Sequence, residues 1–430
     1  MSIDKEKVGE DINYRCIFCG RTTLDTVKEG KEPLNLITSP FGNMAICFDC
    51  VKTCNDVVIE CQEVKKEAAS MSMASRFKDL KPIDIKNFLD EYVIGQEKAK
   101  VALSVAIYNH YKKVRNNLLA DDNNQIEKSN VLLIGRSGSG KTLLAKNIAK
   151  LLDVPFCICD ATSYTEAGYV GDDVENVIKK LFQNSGNDVA KTEMGIVFID
   201  EIDKITRKIS TSPSGRDVSG EGVQQAFLKI IEGSDVNIKL KDGAGNDSKS
   251  IKISTKNILF IFGGAFVGLN EMKDKELNKD NSAIGFGRSP KTADESEDKS
   301  SEYDYVSEDL IKYGFIPEFA GRIPIIIGLD ELTEEDLLKI LTEPKDSIVK
   351  QFKKLMKLDG ITLRFGKDVL KSIAHYAKST KTGARALRNA IEKIMLKHMY
   401  EAPSQNIKSL TITMKDIRDN GLEVKEKENN

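Results

Sequence analysis

The feature that most limits the fold of this 430-residue chain is a glycine-rich segment that ends in a lysine and a threonine. Gly135-Arg-Ser-Gly-Ser-Gly-Lys-Thr142 follows an apolar run, NVLLIG, and precedes a helical pattern, KTLLAKNIAKLL. Backbone N–H groups of such a loop surround phosphate oxygens, and the N-terminus of the helix adds partial positive charge. The segment predicts a phosphate-binding P-loop between a strand and a helix.

The side chains of this P-loop have separate expected roles. Lys141 is expected to reach the β- and γ-phosphates of ATP, and the Thr142 hydroxyl is expected to bind Mg²⁺. A Gly/Ser-rich turn before a lysine is the alternative, and the strand–helix context disfavours it. The predicted ATP-binding residues here are Gly135, Arg136, Ser137, Gly138, Ser139, Gly140, Lys141, Thr142 and Leu143.

An acidic pair, Asp200 and Glu201, follows a second apolar run, GIVFI. Ligands of open α/β sheets bind at the carboxyl ends of the strands. Asp200 is therefore expected to hold Mg²⁺ and to contact ATP, and Glu201 to polarise the attacking water. An acidic helix N-cap is the alternative for the pair alone. Together with the P-loop, the pair indicates an ATP hydrolase, with Lys141 and Glu201 in its catalytic site.

Alternation of apolar runs with amphipathic stretches indicates the fold class. From residue 81 to 327, runs such as NILFIF alternate with helical patterns, which predicts a doubly wound α/β domain with a parallel sheet. From 328 to 430 the pattern is mainly helical, with strand candidates ITLRF and SLTITM, and predicts a smaller α+β domain. Residues 61–80 are predicted as a linker after a domain over residues 1–60.

Six of the eight cysteines lie within the first 61 residues. Cys16-x-x-Cys19 and Cys47-x-x-Cys50 form two pairs that together can bind one Zn²⁺ tetrahedrally. A short polar segment has little core of its own, so the metal would supply folding energy. A redox pair and unligated thiols are the alternatives. Cys54 and Cys61 are expected to be small buried apolar residues instead of ligands.

Composition excludes other classes. Sixty-four basic and 66 acidic residues give a net charge of −2, which argues against a dedicated nucleic-acid binder. No apolar run approaches the roughly 18 residues that span a bilayer, and no apolar signal-peptide core is visible, so we expect a cytoplasmic protein. The sequence contains neither HExxH nor GxSxG, so we expect no intrinsic peptidase activity.

In this order, the four-cysteine module, the P-loop and the acidic strand closely resemble the AAA+ unfoldase subunits of the Clp protease that carry an N-terminal zinc-binding domain. The resemblance covers essentially the whole chain. It implies an ATP-dependent unfoldase, translocase and chaperone that forms a homohexamer, threads substrates through an axial pore and delivers them to a ClpP-type peptidase. ATP, Mg²⁺ and Zn²⁺ would be its cofactors. Tagged or unfolded proteins and adaptors would be its partners, with no membrane and no nucleic acid expected.

The resemblance also implies roles for residues outside the P-loop. Val93 and Ile94 resemble the segment at the adenine base, with a simple packing motif as the alternative. Tyr169 and Val170, flanked by glycines, resemble the residues that grip substrate in the pore, with core packing as the alternative. Arg216 resembles part of the second pore loop.

Two arginines and one apolar triplet complete the implied set. Arg322 resembles the residue that stabilises γ-phosphate charge in a neighbouring subunit, and Arg385 the residue that senses nucleotide within its own subunit. Without the resemblance, each would be read as a solvated or salt-bridging arginine. Ile284, Gly285 and Phe286, in the polar insertion 279–304, resemble a peptidase-docking motif, with incidental apolar loop residues as the alternative.

Two segments depart from the family's pattern. The segment between Gly233 and Asn257, interpreted as a loop, is basic but lacks the Arg-Lys-His run that the family often shows there. The strand NILFIFGGAF ends without the polar sensor of many AAA+ proteins, so no sensor residue is assigned.

Two function classes compete with the unfoldase hypothesis. A nucleic-acid-remodelling P-loop ATPase with a zinc finger would need a basic module, whereas residues 1–60 are rich in Asp and Glu and show no aromatic–basic alternation. A non-catalytic adaptor conflicts with intact Lys141, Asp200 and Glu201.

Overall fold

The computed structural model of the chain describes residues 15–22, 34–39, 44–75, 77–119, 128–164, 173–206, 220–241, 247–273, 304–380, 382–405 and 407–422. The chain divides into two compact units, Met1–Ser70 and Met71–Asn430. The first unit contains the cysteine pairs, and the second contains the P-loop and everything after it.

The first unit is built around the buried residues Cys16 and Cys47. Strand β1 (Leu36–Thr38) pairs antiparallel with β2 (Ala45–Cys47), and helix α1 (Phe48–Ser75) begins directly after β2. Helix α1 extends through most of the segment 61–80 that we interpreted as a linker, and the domain limits remain predictions.

The expected burial of Cys54 and Cys61 is wrong, because Cys54 is half-buried and Cys61 is exposed. Neighbouring apolar side chains of α1, such as Val57 and Val58, are also more than half exposed. Within the described residues, this part of α1 therefore offers no apolar interior that a thiol could join.

The second unit contains a five-stranded sheet whose paired strands are all parallel. Its strands are β3 (Val131–Ile134), β4 (Phe156–Asp160), β5 (Ile196–Asp200), β8 (Leu259–Gly264) and β9 (Ile325–Gly328), in the order β4-β5-β8-β3-β9. Leu133 and Phe198 pack into the core on one face, while Ile134 and Ile199 pack into the core on the other. Burial on both faces explains why these strands are continuous apolar runs in the sequence.

Helices cover both faces of the sheet, which confirms the predicted doubly wound α/β class. Helices α2 (Pro82–Asp90), α3 (Glu97–Leu119) and α4 (Lys141–Leu152) lie on one face. The other face carries α5 (Asn176–Asn184), α7 (Glu221–Ile231), α8 (Ser307–Tyr313) and α9 (Pro317–Gly321), with short α6 (Val189–Thr192) beside α5. Among the described helices, none has the length and apolar character needed to cross a membrane.

The segment interpreted as a loop after Gly233 is instead an antiparallel ribbon, so that interpretation is wrong. Strands β6 (Asp235–Lys241) and β7 (Asp247–Ser254) pair along their length. Val236 and Ile238 are buried while Asn237 and Lys239 are exposed. Apolar side chains at every second position lie on one face of a strand, and the burial of that face stabilises the ribbon.

The C-terminal part has its own apolar core and confirms the predicted mainly helical α+β pattern. Its helices are α10 (Glu334–Thr342), α11 (Ile348–Leu358), α12 (Lys367–Ser379), α13 (Ala384–Glu401) and α14 (Met414–Asp419). The two strand candidates form β10 (Thr362–Phe365) and β11 (Ser409–Ile412), which pair with each other in parallel. We call residues 328–422 the small domain and residues 77–327 the large domain.

Candidate functional site

The P-loop connects the buried end of β3 to the first turn of α4. Gly138 and Gly140 have φ values of 83° and 105°, a region that other residues rarely adopt. Gly140 is the residue before the first helical residue, Lys141. The glycines therefore allow the chain to turn tightly and present the N-terminus of α4 to a ligand.

Lys141 is buried inside this loop. Its Nζ atom donates to the carbonyl oxygens of Gly135 and, at 3.1 Å, of Arg136. Burial lowers the pKa of Lys141, and the Asp200 and Asp203 carboxylates oppose that shift. The ammonium group is thus held beside the loop that is predicted to surround phosphate.

Asp200 and Thr142 meet where the carboxyl end of β5 faces the start of α4. Thr142 Oγ1 donates to Asp200 Oδ2 at 3.3 Å, and the Glu201 N–H donates to Asp200 Oδ1 at 3.0 Å. Glu201 is exposed and has a φ of 56°, a left-handed conformation that is uncommon for a residue with a side chain. The hydroxyl and carboxylate oxygens are of the kind that Mg²⁺ prefers.

A cavity of about 700 Å³ opens between these elements and the small domain. Its size is within the range of nucleotide and cofactor sites, about 300–1,000 Å³. Arg385, at the start of α13, donates from Nη1 to Ser137 Oγ at 3.1 Å. The cavity is lined by Ser137, Gly138, Gly140, Lys141, Thr142, Leu143, Asp200, Glu201, Asp203, Lys204, Gly264, Ala265, Ile348, Ala384, Arg385, Arg388 and Asn389.

Other predicted ATP-binding residues lie around the edge of this cavity. Gly135 and Ser139 pack inside the P-loop turn, and exposed Arg136 pairs with Glu331 at 3.3 Å. Val93 is buried in the core, Ile94 is half-buried, and neither lines the cavity. Their predicted contact with adenine remains a prediction.

Arg322 does not line the cavity of its own chain. Its guanidinium is about half exposed and donates from Nε to Glu232 Oε1 at 3.0 Å. The Arg322 carbonyl accepts a hydrogen bond from Asn130 at 2.8 Å, which ties the short turn after α9 to the residue before β3. If Arg322 contacts a nucleotide, that nucleotide would therefore be bound to another subunit.

Six predicted functional residues lie outside the described residues. They are the pore-loop residues Tyr169, Val170 and Arg216 and the docking residues Ile284, Gly285 and Phe286.

Four cysteines of the first unit lie together, as their spacing predicted. The Sγ atoms of Cys16, Cys19, Cys47 and Cys50 are all within 4.8 Å of one another, and those of Cys19 and Cys47 are 3.8 Å apart. A tetrahedral zinc ion with Zn–S bonds of about 2.3 Å separates its sulfur ligands by about 3.8 Å. All four cysteines are free thiols instead of disulfides, and the cluster therefore fits a structural zinc site.

Electrostatics at this cluster also favour a cation. Although burial opposes ionisation of Cys16, backbone N–H groups, among them that of Cys47, donate to its sulfur and lower its pKa to about 6. Hydrogen bonding to Cys47 and burial raise the pKa of Cys50 to about 12. Four thiolates this close repel one another, and a divalent cation between them would remove that penalty.

The structure also reveals site residues that the sequence analysis missed. Gln96, with a φ of 60°, exchanges two hydrogen bonds with the Asp330 backbone, of 2.8 and 2.9 Å, at the junction of the large and small domains. Arg388 lines the cavity one helical turn after Arg385. Asp203 is a third carboxylate of the cavity, and its position three residues after Asp200 was the available signal.

The large domain with its P-loop sheet and the small domain that closes over it define an AAA+ ATPase. Residues 126–326 match the family model of the AAA domain (Cdc48 subfamily), and residues 332–413 match that of the C-terminal D2-small domain of ClpB protein. The chain is 50% identical over 405 residues to the ATP-dependent Clp protease ATP-binding subunit ClpX of Treponema denticola. The aligned residues make up 94% of this chain and 93% of the relative. The chain belongs to the ClpX family, and its nucleotide site is that of an ATPase.

Proposed function

We propose that this chain is the ATP-hydrolysing unfoldase and translocase of a Clp-type protease. It would act in the cytoplasm as a homohexamer and as a chaperone, and it would deliver unfolded proteins to a ClpP-type peptidase. The name of the Treponema denticola relative, an ATP-binding subunit of the Clp protease, supports the peptidase partnership. Peptide-bond cleavage would then be the work of the partner.

One observation carries the mechanical part of the proposal: the large and small domains of one chain share the cavity of the P-loop. Arg385 of the small domain contacts Ser137 of the P-loop at 3.1 Å. A phosphate lost from this cavity changes the charge that Arg385 faces, so hydrolysis would shift the small domain relative to the large one.

Hydrolysis would use the residues at the carboxyl end of β5. Lys141 and the N–H groups at the start of α4 bind the phosphates, and Glu201 orients and polarises the attacking water. Thr142 and Asp200 would hold a magnesium ion, which neutralises phosphate charge when bound. Arg322, exposed and outside its own cavity, would reach the γ-phosphate of a neighbouring subunit.

Movement of the small domain would be passed to the substrate by the pore loops. In this proposal Tyr169 and Val170 grip the threaded chain by bulk, Arg216 lies on the second pore loop, and Ile284, Gly285 and Phe286 dock on the peptidase. Zinc held by the four cysteines would fold the N-terminal module, which would recruit substrates and adaptors.

ATP hydrolysis by the full chain, measured with unfolded protein or with single-stranded DNA added, tests the proposal. We expect stimulation by unfolded protein only. Tyr169→Ala should keep basal hydrolysis but lose unfolding of a folded reporter, whereas Tyr169→Phe, which keeps the aromatic bulk, should keep both. Stimulation by DNA alone would support a nucleic-acid-remodelling ATPase and overturn the proposal.

A further inference from the structure

Strand β8 ends in two glycines, Gly263 and Gly264, beside the carboxyl end of β5. A Cβ atom at Gly263 would lie 2.7 Å from Phe198 Cζ and 3.3 Å from Asp200 Oδ1. A Cβ atom at Gly264 would lie 2.5 Å from Phe266 Cε2 and 2.8 Å from Asp203 Oδ1. The space beside these two glycines is therefore filled by the rings of Phe198 and Phe266 together with the carboxylates of Asp200 and Asp203.

Asp203 is the carboxylate that is packed most closely against β8. It lies in a short 3₁₀ helix, Ile202–Ile205, directly after Glu201, and is only 6% exposed. Its Oδ1 accepts from the Ala265 N–H at 3.2 Å and its Oδ2 accepts from the Phe266 N–H at 3.4 Å. One side chain thus ties the segment after Glu201 to the segment after β8.

Each of the two backbone segments that Asp203 connects contains a strained residue. Glu201 has a φ of 56° and Phe266 a φ of 49°, and both conformations cost free energy in residues with side chains. Such conformations persist only where surrounding contacts maintain them. Asp203 contacts the backbone of Phe266 and lies two residues after Glu201, so it is placed to stabilise both.

Asp203 also belongs to the electrostatics of the nucleotide cavity. It lines that cavity together with Lys141 and Thr142. Burial lowers the pKa of Lys141, and the Asp203 carboxylate opposes this shift more strongly than any group except Asp200. Its charge is therefore close to the predicted phosphate site.

We propose that Asp203 is a positioning residue for ATP hydrolysis: it anchors the Glu201 turn to the end of β8 and so places the Glu201 carboxylate at the phosphate end of the cavity. This inference rests on the proposed role of Glu201.

The test is a double-mutant cycle on the full chain, with Glu201→Gln, Asp203→Ala and the combination of both. Single-turnover hydrolysis of labelled ATP and equilibrium binding of a fluorescent ATP analogue are measured for each variant. We expect Asp203→Ala to bind the analogue within about threefold of the parent and to hydrolyse ATP about 100-fold more slowly, since small displacements of a reacting group have effects of this size. Because Asp203 acts through Glu201, adding Asp203→Ala to Glu201→Gln should slow hydrolysis less than threefold further.

Two further variants separate positioning from general stability. Asp188→Ala removes the N-cap of α6, where Asp188 accepts from the Lys191 N–H at 3.1 Å, and should lower thermal stability without slowing hydrolysis. Asp203→Asn keeps one acceptor oxygen and should hydrolyse ATP at a rate between those of the parent and Asp203→Ala. If Asp203→Ala does not fold, Asp203→Asn takes its place in the double-mutant cycle.

Each contrary outcome is distinct. Fully multiplicative effects of Glu201→Gln and Asp203→Ala, or a parental rate in both Asp203 variants, would overturn the inference and leave the ATPase proposal standing. If Glu201→Gln hydrolyses ATP at the parental rate, the proposed mechanism itself fails.

Discussion

Arg385 Nη1 donates a hydrogen bond to Ser137 Oγ across 3.1 Å, although the two residues are 248 positions apart in the sequence. The contact joins the first turn of α13 to the P-loop. Beside it, a Cβ atom at Gly138 would lie 2.5 Å from the Thr382 carbonyl oxygen. The small domain therefore touches the P-loop through both a charged side chain and closely packed backbone.

Replacement of Arg385 tests the contribution of the side chain. Arg385→Ala should weaken ATP binding by about tenfold or more, because a hydrogen bond from a charged group is worth about 1.5–3 kcal/mol. Isothermal titration with a slowly hydrolysed ATP analogue measures the change. Arg364→Ala, at an exposed arginine of β10 in the same domain, should bind like the parent. Equal affinity in Arg385→Ala and Arg364→Ala would contradict the role of Arg385.

Replacement of Gly383 tests the backbone contact. Gly383 has a φ of 59°, and a Cβ atom there would lie 3.2 Å from the Gly138 carbonyl oxygen. Gly383→Ala should therefore push the small domain off the P-loop and weaken ATP binding. Gly360 has a φ of 75°, and no described atom lies within 4 Å of its Cβ position.

Gly360→Ala is thus a control that also places a side chain at a positive φ, but without the contact. It should lower the unfolding midpoint and leave ATP affinity unchanged. If both alanine variants bind ATP equally well, close approach of the two backbones does not matter for the nucleotide site.

Gln224 is a buried residue of α7 whose side-chain amide forms hydrogen bonds to two other segments of the large domain. Its Nε2 donates to the Ile205 carbonyl at 2.8 Å, and its Oε1 accepts from the Ile316 N–H at 2.8 Å. Gln224→Leu should lower the free energy of unfolding by about 2 kcal/mol or more, because two buried backbone groups lose their partners. The adjacent Gln225 is exposed, so Gln225→Leu should change it by less than about 0.5 kcal/mol. Urea unfolding compares the two; an unaltered midpoint in Gln224→Leu would show that these bonds add no stability.

The cysteine cluster predicts one zinc ion per chain. Cys16→Ala should release it, since three remaining thiolates leave the tetrahedral site incomplete. Cys54 lies outside the four-sulfur cluster, and Cys54→Ala should retain the metal. Mass spectrometry of the metal content gives the answer, and full zinc occupancy in Cys16→Ala would rule out the proposed ligand set.

Local patterns were sufficient to predict the parts of the site that lie within single segments. The P-loop, Asp200 and Glu201 stand at the ends of buried strands, and short continuous apolar runs in the sequence identify those strands. The ribbon β6–β7 was not predicted, although the alternation of apolar and polar residues is present in VNIKLK and SIKIS.

Contacts between distant segments could not be predicted in the same way. Gln96 meets Asp330, 234 residues away, only because the small domain packs against the P-loop side of the large domain. The carboxylate of Asp203 reaches the end of β8 beside Gly264, which has no side chain, and no pattern within either segment reveals that proximity. Such pairs depend on tertiary packing, which hydrophobic periodicity does not encode.

The most direct test of the account measures phosphate release and the unfolding of a stable, tagged fluorescent reporter in the same sample, for the parent chain and for Glu201→Gln. We expect the parent to unfold the reporter at a rate that follows ATP hydrolysis. Glu201→Gln should bind ATP with parental affinity while both hydrolysis and unfolding are lost. Reporter unfolding at the parental rate by Glu201→Gln would contradict the claim that hydrolysis at this site drives unfolding.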